Sequence, residues 1–394
     1  MSSVLLTDLA THLAEYNNVT AICGTPSSFI DKENTKSVDS VTVHRVASTN
    51  FSKKVIFGRL INYISFLVLA FFKALCIKKH DIVFSMSTPP FINLVGLLTG
   101  WKMKAPYVYI CQDLFPDTAI ALGLIKNEFL KKALLSLNHF ILRKTSKIVA
   151  ISSAMKEKIT QKGIPEEKII VINNWANTDD IKPGPKDNPF SRKYNLVDKF
   201  VVLYAGNIGL AQDLDIILDT AGKLKNINEI RFVIIGEGVE KERIYKRIRK
   251  DKLENILILP FQPKENLDNV YASSDTCLIT QKSGLAGYLE PTKIYYILAS
   301  QKPAIASIEA ISETAKIISK FNCGFIINNG NSDGIVEKII SIFKAAHPST
   351  SSCDKDVSLR EMEKNRENSL YNYMKMLENV VNIYHENSIV KTFC

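Results

Sequence analysis

Short apolar runs rich in β-branched residues alternate with amphipathic segments along almost the whole chain. In the first half, these runs predict strands at residues 19–23, 41–46, 81–84, 107–111, 147–151 and 169–172. In the second half, they predict strands at 200–204, 231–235, 256–259, 276–280, 304–307 and 325–327. Helical periodicity fills the intervals, which is typical of parallel βαβ units. The pattern therefore predicts an α/β protein with two Rossmann-like, doubly wound parallel-sheet domains and a cleft between the domains.

A change of composition after residue 176 divides the two series of strands. Residues 177–188 are polar and contain prolines, as linkers between domains do. We therefore predict an N-terminal domain at 1–176, a C-terminal domain at 177–356, and a final helix at 357–394 that crosses back to the first domain. The chain opens in a helix that carries Leu5, Leu9 and Leu13 on one face, with no strand before it. The first strand of the N-terminal domain is therefore expected to be missing.

The most apolar stretch of the chain, at residues 55–77, is surrounded or interrupted by the basic residues Lys53, Lys54, Arg59, Lys73, Lys78 and Lys79. Its uninterrupted apolar part, at 60–72, is shorter than the roughly 20 residues that cross a bilayer. Such a helix is expected to lie on an anionic membrane surface. A second basic, leucine-rich segment lies at 129–147, and an ordinary surface helix of an α/β domain explains that segment more simply.

Composition and charge narrow the possible partners. The chain has 394 residues, of which 46% are hydrophobic, and a net charge of +10 that falls mostly before residue 183. No helix-turn-helix, zinc finger or basic-aromatic motif accompanies the charge, so an anionic lipid surface fits it better than nucleic acid does. The seven cysteines show no metal or disulfide spacing, and no secretion signal is present. A cytoplasmic protein with reduced thiols is expected.

Two glycine turns follow strands of the second domain. Gly206, Asn207 and Gly209 come after the strand at 200–204, and Gly236 and Glu237 come after the strand at 231–235. Glycines let the backbone approach a phosphate, and a helix starting near residue 210 would offer free N–H groups. Neither turn matches GxGxxG, so a packing turn without a ligand explains each of them nearly as well.

A third loop of the second domain carries a lysine at the start of a helix. Pro291 and Thr292 begin this predicted helix, and Lys293 lies in its first turn. A cation at this position opposes the helix dipole, which favours a role in holding an anion. Lys293 could therefore bind the diphosphate of a sugar nucleotide, while a solvated surface lysine is the alternative.

A carboxylate follows a strand of the first domain. Asp113 comes directly after the strand at 107–111, and Asp117 follows four residues later. An acid at this edge of a sheet can orient or deprotonate an acceptor hydroxyl. Either aspartate could instead cap the next helix.

Two Asp-x-Asp motifs, a signature of divalent metal binding, occur at 213–215 and 354–356. The first lies at a helix start and the second in a polar stretch, so we predict no metal requirement.

Eight motifs together carry a resemblance to a known family. They are RLINYISF at 59–66, SMSTPPF at 85–91, QDLFPD at 112–117, VINNW at 171–175, YAGNIGLAQDL at 204–214, IIGEG at 234–238, LPFQP at 259–263 and PTKIYYILA at 291–299. In this order they resemble the retaining glycosyltransferases of family 4, which have the GT-B fold. The greatest similarity is to an O-antigen and capsule branch that includes L-N-acetylfucosamine transferases.

The resemblance implies sugar transfer from a nucleoside diphosphate donor, held by the second domain, to a sugar on undecaprenyl diphosphate at the first. It implies retention by front-face attack, no cofactor besides the donor, and work at the inner face of the cytoplasmic membrane. The donor it suggests is a UDP-linked sugar of the L-N-acetylfucosamine type. Lys293 would hold the leaving diphosphate, and Asp113 matches the acid of the family's DLWP-like segment.

Two departures from the family keep other hypotheses open. Many members carry two glutamates eight positions apart, where this chain has Tyr288 and Tyr296, with Glu290 out of register. Relatives also begin with a strand and a glycine loop that this sequence lacks. A catalytically impaired scaffold docked at the membrane is one alternative. A nucleotide-sugar epimerase of the same fold is another, although no cluster of glutamate and histidine supports it.

Overall fold

The computed structural model of the chain describes residues 2–24, 35–38, 40–49, 51, 56–175, 181–345 and 355–392. These residues form two compact units. The first comprises Met1–Asn174 and Asn368–Cys394, and the second comprises Trp175–Glu367. The predicted boundary at 176 lies outside the described residues, as do residues 177–180 of the predicted linker.

The first unit contains two sheets among its described residues. Its strands are β1 Thr20–Gly24, β2 Thr35–Val38, β3 Val41–Val46, β4 Val83–Met86, β5 Tyr107–Cys111, β6 Lys147–Ala150 and β7 Ile169–Val171. The sheet orders are β1-β3-β2 and β4-β5-β6-β7. All pairs are parallel except β2 with β3, which pair antiparallel from Thr35 opposite His44 to Val38 opposite Val41. The apolar pattern did not predict β2, because its sequence TKSV has only one apolar residue.

The helices of the first unit are α1 Ser2–Ala14, α2 Ile56–Cys76, α3 Ile92–Met103, α4 Asp117–Ala121, α5 Glu128–Lys144 and α6 Ser153–Thr160. Among the described residues, α1 precedes every strand. Leu5, Leu9 and Leu13 of α1 are buried, as their helical spacing predicts. Helix α1 thus packs on the core of this unit.

Helix α2 contains the apolar segment predicted to contact a membrane. Its Leu60, Ile64, Val68 and Phe72, spaced four residues apart, are each 47% to 59% exposed. They therefore form an exposed apolar stripe along one side of the helix. No helix among the described residues has the length and apolarity that a bilayer crossing requires. Lys53 and Lys54, which precede α2, lie outside the described residues.

The second unit has a single six-stranded sheet in its described part. Its strands are β8 Phe200–Ala205, β9 Ile230–Ile235, β10 Ile256–Leu259, β11 Thr276–Thr280, β12 Ala304–Ser307 and β13 Gly324–Ile327. All neighbours are parallel, in the order β10-β9-β8-β11-β12-β13. This is the 3-2-1-4-5-6 order of a Rossmann sheet. The predicted strands of this half are therefore confirmed, with small differences at their ends.

Helices cover both faces of this sheet. They are α7 Pro189–Lys193, α8 Asp215–Lys223, α9 Lys241–Lys250, α10 Leu267–Ala272, α11 Lys293–Ala299, α12 Glu313–Phe321 and α13 Ser332–Ala345. Alternate residues of β8 enter opposite cores: Val201 and Leu203 pack with α11 and α12, whereas Val202 and Tyr204 pack with α8 and α13. The continuous apolar runs of these strands follow from burial on both faces. Ile181, within the predicted linker, is fully buried in the first of these cores.

The last helix, α14 Lys355–Thr392, contributes to both units. Its Met362 packs in the core of the second unit. Further along, Ser369 donates a hydrogen bond to the carbonyl of Asn173 (3.1 Å) in the first unit, and Leu370 and Tyr373 are buried.

Candidate active site

The strand order of the second unit locates its candidate site. Strand β8 connects to β9 on one side of the sheet, whereas β11 pairs with β8 on the other side. Ligands of such sheets bind beyond the carboxyl ends of the strands at this switch point. Gly206 follows β8 and Gln281 follows β11, so both lie at this point.

The two predicted glycine turns contact each other at this edge. The amide of Gly206 donates to the carbonyl of Ile235 (2.9 Å), and the amide of Ile208 donates to the carbonyl of Glu237 (2.8 Å). A Cβ atom on Gly236 would lie only 1.8 Å from the carbonyl oxygen of Gly206. Glycine is therefore required at 236 because the two backbones are in direct contact.

The turn after β8 differs from its prediction in one respect. Helix α8 begins at Asp215, and a short 3₁₀ turn at Leu210–Gln212 precedes it, whereas the sequence predicted a helix from about residue 210. Asp213 interrupts the helical path with a left-handed conformation (φ 45°). Asn207 is exposed, and its carbonyl accepts a hydrogen bond from the hydroxyl of Tyr204 (2.7 Å). A Cβ on Gly209 would lie 2.5 Å from Nδ2 of Asn207.

The ammonium group of Lys293 lies beside this turn. A Cβ on Gly206 would be 3.3 Å from Nζ of Lys293, and Nζ lies 3.5 Å from the centre of the Tyr204 ring. Although part of the Lys293 side chain is accessible, Nζ itself is buried and has no hydrogen-bond partner among the described residues. Burial lowers the pKa of Lys293 to about 7. A buried cation without a counter-ion is costly, so this arrangement favours a bound anion.

Other buried polar atoms at the same edge also lack partners in the described part of the chain. They are Oε1 of Gln212, Oε1 of Gln281 and Oγ of Ser307, which follow or end the adjacent strands β8, β11 and β12. Buried polar groups are normally hydrogen-bonded, so such atoms grouped at one edge indicate a site for a polar ligand. The apolar and glycine patterns of the sequence carried no signal for these three residues.

The loop after β11 is held by a carboxylate that the sequence analysis also missed. Oε2 of Glu309 accepts hydrogen bonds from the amides of Gly284 (3.1 Å) and Ala286 (3.0 Å). Further along, Pro291 accepts a hydrogen bond from the hydroxyl of Thr314 (3.2 Å), and Thr292 precedes α11 without capping it through its side chain. Glu309 thus orders the loop that leads to Lys293.

The acidic residues near this edge have partners of their own. Glu237 is exposed and forms an ion pair with Lys241 (2.6 Å). Glu290 accepts a hydrogen bond from the amide of Glu313 (3.2 Å), at the start of α12. At positions 288 and 296, where many family members have glutamates, this chain has tyrosines and no carboxylate. Tyr296 packs near Tyr271, with ring centres 6.3 Å apart.

In the first Asp-x-Asp motif, the second aspartate is hydrogen-bonded to arginines. Asp215 accepts hydrogen bonds from Arg243 (2.9 Å) and Arg247 (2.6 Å), which lower the pKa of its carboxyl group. In the second motif, Asp354 lies outside the described residues. Within the described ranges, no group of three or more histidine, cysteine or acidic side chains is placed to hold a metal ion.

In the first unit, Asp113 follows the carboxyl end of β5. The amides of Gln112 and Asp113 both donate to the hydroxyl oxygen of Ser87 (3.1 Å each), which fixes the turn. The Oδ1 atom of Asp113 is buried and has no partner among the described residues. Burial raises the pKa of this carboxyl group, and its hydrogen bond to Ser87 lowers it to a smaller extent. Asp113 thus has a free acceptor atom in a poorly solvated place.

Neither aspartate of this segment caps helix α4. The N-cap position is Pro116, and no side chain caps the helix. Asp117 instead forms an ion pair with Lys162 (2.5 Å), in which both side chains are largely buried. Gln112 and Asn174 exchange two side-chain hydrogen bonds (3.0 and 2.8 Å) next to Asp113. The ion pair gives Asp117 a structural role, although its Oδ2 atom, like Oδ1 of Asp113, is buried without a hydrogen-bond partner among the described residues. Asp113 is the acid of this segment that forms no ion pair there.

Comparison with protein families assigns both halves of the chain. A model described as Glycosyltransferase Family 4 matches residues 2–180, and one described as Glycosyl transferases group 1 matches residues 187–356. Each half of the chain thus matches a glycosyltransferase family model, and the chain has the GT-B fold. The fold class predicted from the sequence is thus confirmed.

Two curated relatives of this chain have names that refer to glycosyltransferases. Probable glycosyltransferase WbjE of Pseudomonas aeruginosa is 26% identical over 250 residues, which are 63% of this chain and 62% of the relative. Putative colanic acid biosynthesis glycosyl transferase WcaI of Escherichia coli is 27% identical over 276 residues, 67% of this chain and 66% of the relative. The chain therefore matches less than two thirds of the length of each.

Solved structures support the fold. HepE of Anabaena, in complex with UDP and glucose, superimposes with a TM-score of 0.70 at 15% identity, covering 94% of this chain and 95% of that one. WaaG, a glycosyltransferase involved in lipopolysaccharide biosynthesis, has a TM-score of 0.66 at 11% identity, covering 97% and 95%. At these identities the similarity shows the shared architecture.

Proposed function

We propose that this chain transfers a sugar from a nucleoside diphosphate donor, bound by the second unit, to a lipid-linked saccharide bound by the first. The observation that carries the proposal is the buried, unpartnered ammonium of Lys293 beside Gly206 at the switch point of the second sheet. A diphosphate there would supply the missing negative charge. It would also raise the pKa of Lys293 again and keep the ammonium protonated.

The proposed reaction retains the configuration at the anomeric carbon. The acceptor oxygen approaches the face from which the diphosphate departs. The bond from the anomeric carbon to the phosphate oxygen breaks as the bond to the acceptor oxygen forms, and the leaving phosphate oxygen takes the acceptor's proton. Negative charge grows on the diphosphate, so Lys293 and the amides of Asn207 and Gly209 would stabilise the transition state. No metal is needed, because these groups provide the compensating charge.

Asp113 has the acceptor-side role in this proposal. Its free Oδ1 atom can accept a hydrogen bond from an acceptor hydroxyl and orient the oxygen for attack. The hydroxyl oxygen of Ser87 holds this turn in place because it accepts hydrogen bonds from the amides of Gln112 and Asp113. Asp113 would thus position the nucleophile, while Lys293 assists the leaving group.

The identities of donor and acceptor are finer proposals. The complex of HepE with UDP and glucose supports a UDP-linked donor, and the names of WcaI and WaaG support work on surface polysaccharides. We propose an L-N-acetylfucosamine-type donor and an undecaprenyl diphosphate-linked acceptor of O-antigen or capsule synthesis. The exposed apolar stripe of α2 would hold the protein on the inner face of the cytoplasmic membrane.

A direct transfer assay tests the proposal. Purified full-length protein is incubated with a panel of UDP-sugars and a lipid diphosphate-linked saccharide, in the presence and absence of EDTA. We expect a lengthened saccharide with the donor's anomeric configuration, seen by NMR, at equal rates in both conditions. Isomerised donor without transfer would favour an epimerase. Absence of any turnover, with retained binding to partner proteins of polysaccharide assembly, would favour a scaffold.

A further inference from the structure

A groove with a volume of about 820 Å³ lies in the first unit, between β5, β6 and β7 and the last part of α14. Pro106, Lys147 and Lys168 line it from the sheet, where they precede or begin these strands. The groove is therefore at the amino-terminal edge of the sheet. Asp113 follows the opposite, carboxyl end of β5, so the groove is separate from the candidate active site.

Positive charge is concentrated around this groove. Three lysines line it, Lys147, Lys168 and Lys375, against a single acidic residue, Glu167, among the described residues of the lining. Burial lowers the pKa of Lys168, the nearby charges of Arg143 and Lys144 lower it further, and Glu167 raises it in part. Like charges held together in a concave surface repel one another, and a bound anion relieves that repulsion.

The lysines from the sheet are held in place and keep hydrogen-bonding capacity. Nζ of Lys147 donates to the carbonyl of Glu167 (2.6 Å). Nζ of Lys168 donates to the carbonyls of Arg143 (2.7 Å) and Thr145 (3.3 Å). An ammonium group has three N–H donors, so both lysines retain at least one donor for a ligand.

Apolar side chains line the groove beside these lysines. Helix α14 contributes Met376, Val380 and Ile383, together with the polar side chains of Asn372 and Asn379, and the sheet contributes Ile170. Ile383 is 58% exposed. Lysines next to exposed apolar side chains in one groove fit an amphiphile whose anionic head is joined to a hydrocarbon chain.

We propose that this groove binds one anionic phospholipid, with its phosphate at Lys147, Lys168 and Lys375 and the start of an acyl chain along Met376 and Ile383. A free phosphate would leave the apolar side chains of α14 uncovered, and so would a nucleic acid backbone. The lipid would hold the first unit and the end of α14 at a membrane surface. This inference does not depend on the proposed transfer reaction.

Calorimetric titration with dihexanoylphosphatidylglycerol, below its micelle concentration, tests the proposal on the full-length protein. We expect saturable binding that the double variant Lys147→Gln/Lys375→Gln weakens about 25-fold, since each lysine near a lipid phosphate contributes about 1 kcal/mol. Lys168 is left intact because it bonds to two backbone carbonyls. The matched control Lys225→Gln/Lys250→Gln removes the same charge from exposed positions of the second unit and should change Kd by less than about twofold.

Two further probes separate the possible ligands. Ile383→Ser should weaken binding of the short-chain lipid about threefold to fivefold and leave binding of glycerol 3-phosphate unchanged, because only the lipid has a chain. The proposal is overturned if glycerol 3-phosphate binds as tightly as the lipid, or if dihexanoylphosphatidylcholine binds equally well. Equal losses in the groove variant and the control would overturn it as well, and so would tighter binding of a single-stranded oligonucleotide. Transfer to a water-soluble acceptor, if the proposed reaction is correct, should be unchanged in the groove variant.

Discussion

At the carboxyl edge of a parallel sheet, each unit holds a buried ionisable side chain that has an unpartnered atom and forms no ion pair among the described residues, but the two groups have opposite charge. In the second unit the group is the ammonium of Lys293, with two glycine turns in backbone contact beside it. In the first unit it is the carboxylate of Asp113, held by a serine-fixed turn. Burial disfavours the charged form of both, lowering the pKa of the lysine and raising that of the aspartate.

This difference suggests a division of roles. A cation among backbone amides suits an anionic ligand, whereas a carboxylate with a free oxygen suits a hydroxyl group. Each unpartnered group costs stability in the empty protein and would gain its partner only from a ligand. Variants that remove the charge should therefore separate stability from activity in both units.

The largest effect is expected from Lys293→Met. Loss of the cation should lower kcat about 10³-fold, as removal of a key electrostatic donor does in other enzymes. In the wild type, kcat/KM should fall above pH about 7, because the free ammonium then loses its proton. Steady-state kinetics across pH 6 to 9 would measure both, and Lys250→Met on the exposed end of α9 is the control.

Stability of the same variant gives a second measurement. Burial lowers the pKa of Lys293 in the folded protein, so the charged side chain destabilises the fold. This destabilisation is complete below pH 7 and disappears as the pH rises towards the pKa of the unfolded chain. Lys293→Met should thus be at least as stable as the wild type at pH 7. Unfolding of the variant under these conditions would contradict the assignment of a functional role.

Asp113→Asn should have the next largest effect, about 10²-fold on kcat, with donor affinity retained. The pKa of Asp113 is higher in the folded protein than in the unfolded chain. Ionisation of Asp113 therefore lowers the stability as the pH rises from the unfolded pKa through the folded pKa. The asparagine variant should therefore melt at a higher temperature than the wild type at pH 7. Calorimetry and donor titration would measure these changes, and weaker donor binding would refute an acceptor-side role.

Gly236→Ala tests the backbone contact between the two glycine turns at the carboxyl edge of the sheet in the second unit. Its Cβ would overlap the carbonyl oxygen of Gly206, so we expect a loss of about 1–3 kcal/mol in the free energy of unfolding. Gly222→Ala in α8 is the matched control. Its Cβ would lie 3.6 Å from Leu253, and the change should stabilise the helix by up to about 1 kcal/mol. Denaturant titration would measure the free energy of unfolding of both variants. Equal stabilities of Gly236→Ala and Gly222→Ala would show that the close approach of residue 236 to Gly206 does not constrain the fold.

The smallest effect should come from Glu309, which contacts the loop rather than the reacting groups. Glu309→Ala should raise the KM for the donor about fivefold with little change in kcat, because the amides of Gly284 and Ala286 lose their acceptor. Glu309→Gln keeps an acceptor oxygen and should recover part of the loss. A fall in kcat at unchanged KM would show that Glu309 acts in the chemical step instead.

Several parts of the structure could be predicted from the sequence, and others could not. The strands of the second sheet were predictable, because burial on both faces leaves continuous apolar runs such as 230–235. Strand β2 was not, because its four residues are mostly polar. The ion pair of Asp117 with Lys162, 45 positions away, was not predictable either, because the local sequence is equally compatible with a helix cap.

By itself, the sequence determined the alternation of strands and helices, the two series of strands, and the glycine and lysine positions that follow them, because these depend on local periodicity and backbone conformation. Only the tertiary structure decided that Nζ of Lys293 is buried beside Gly206, that Glu309 holds the loop at 284–286, and that Gln212, Gln281 and Ser307 share one edge. Those relations join residues far apart in the chain. Their burial and hydrogen bonds exist only after the sheet has assembled.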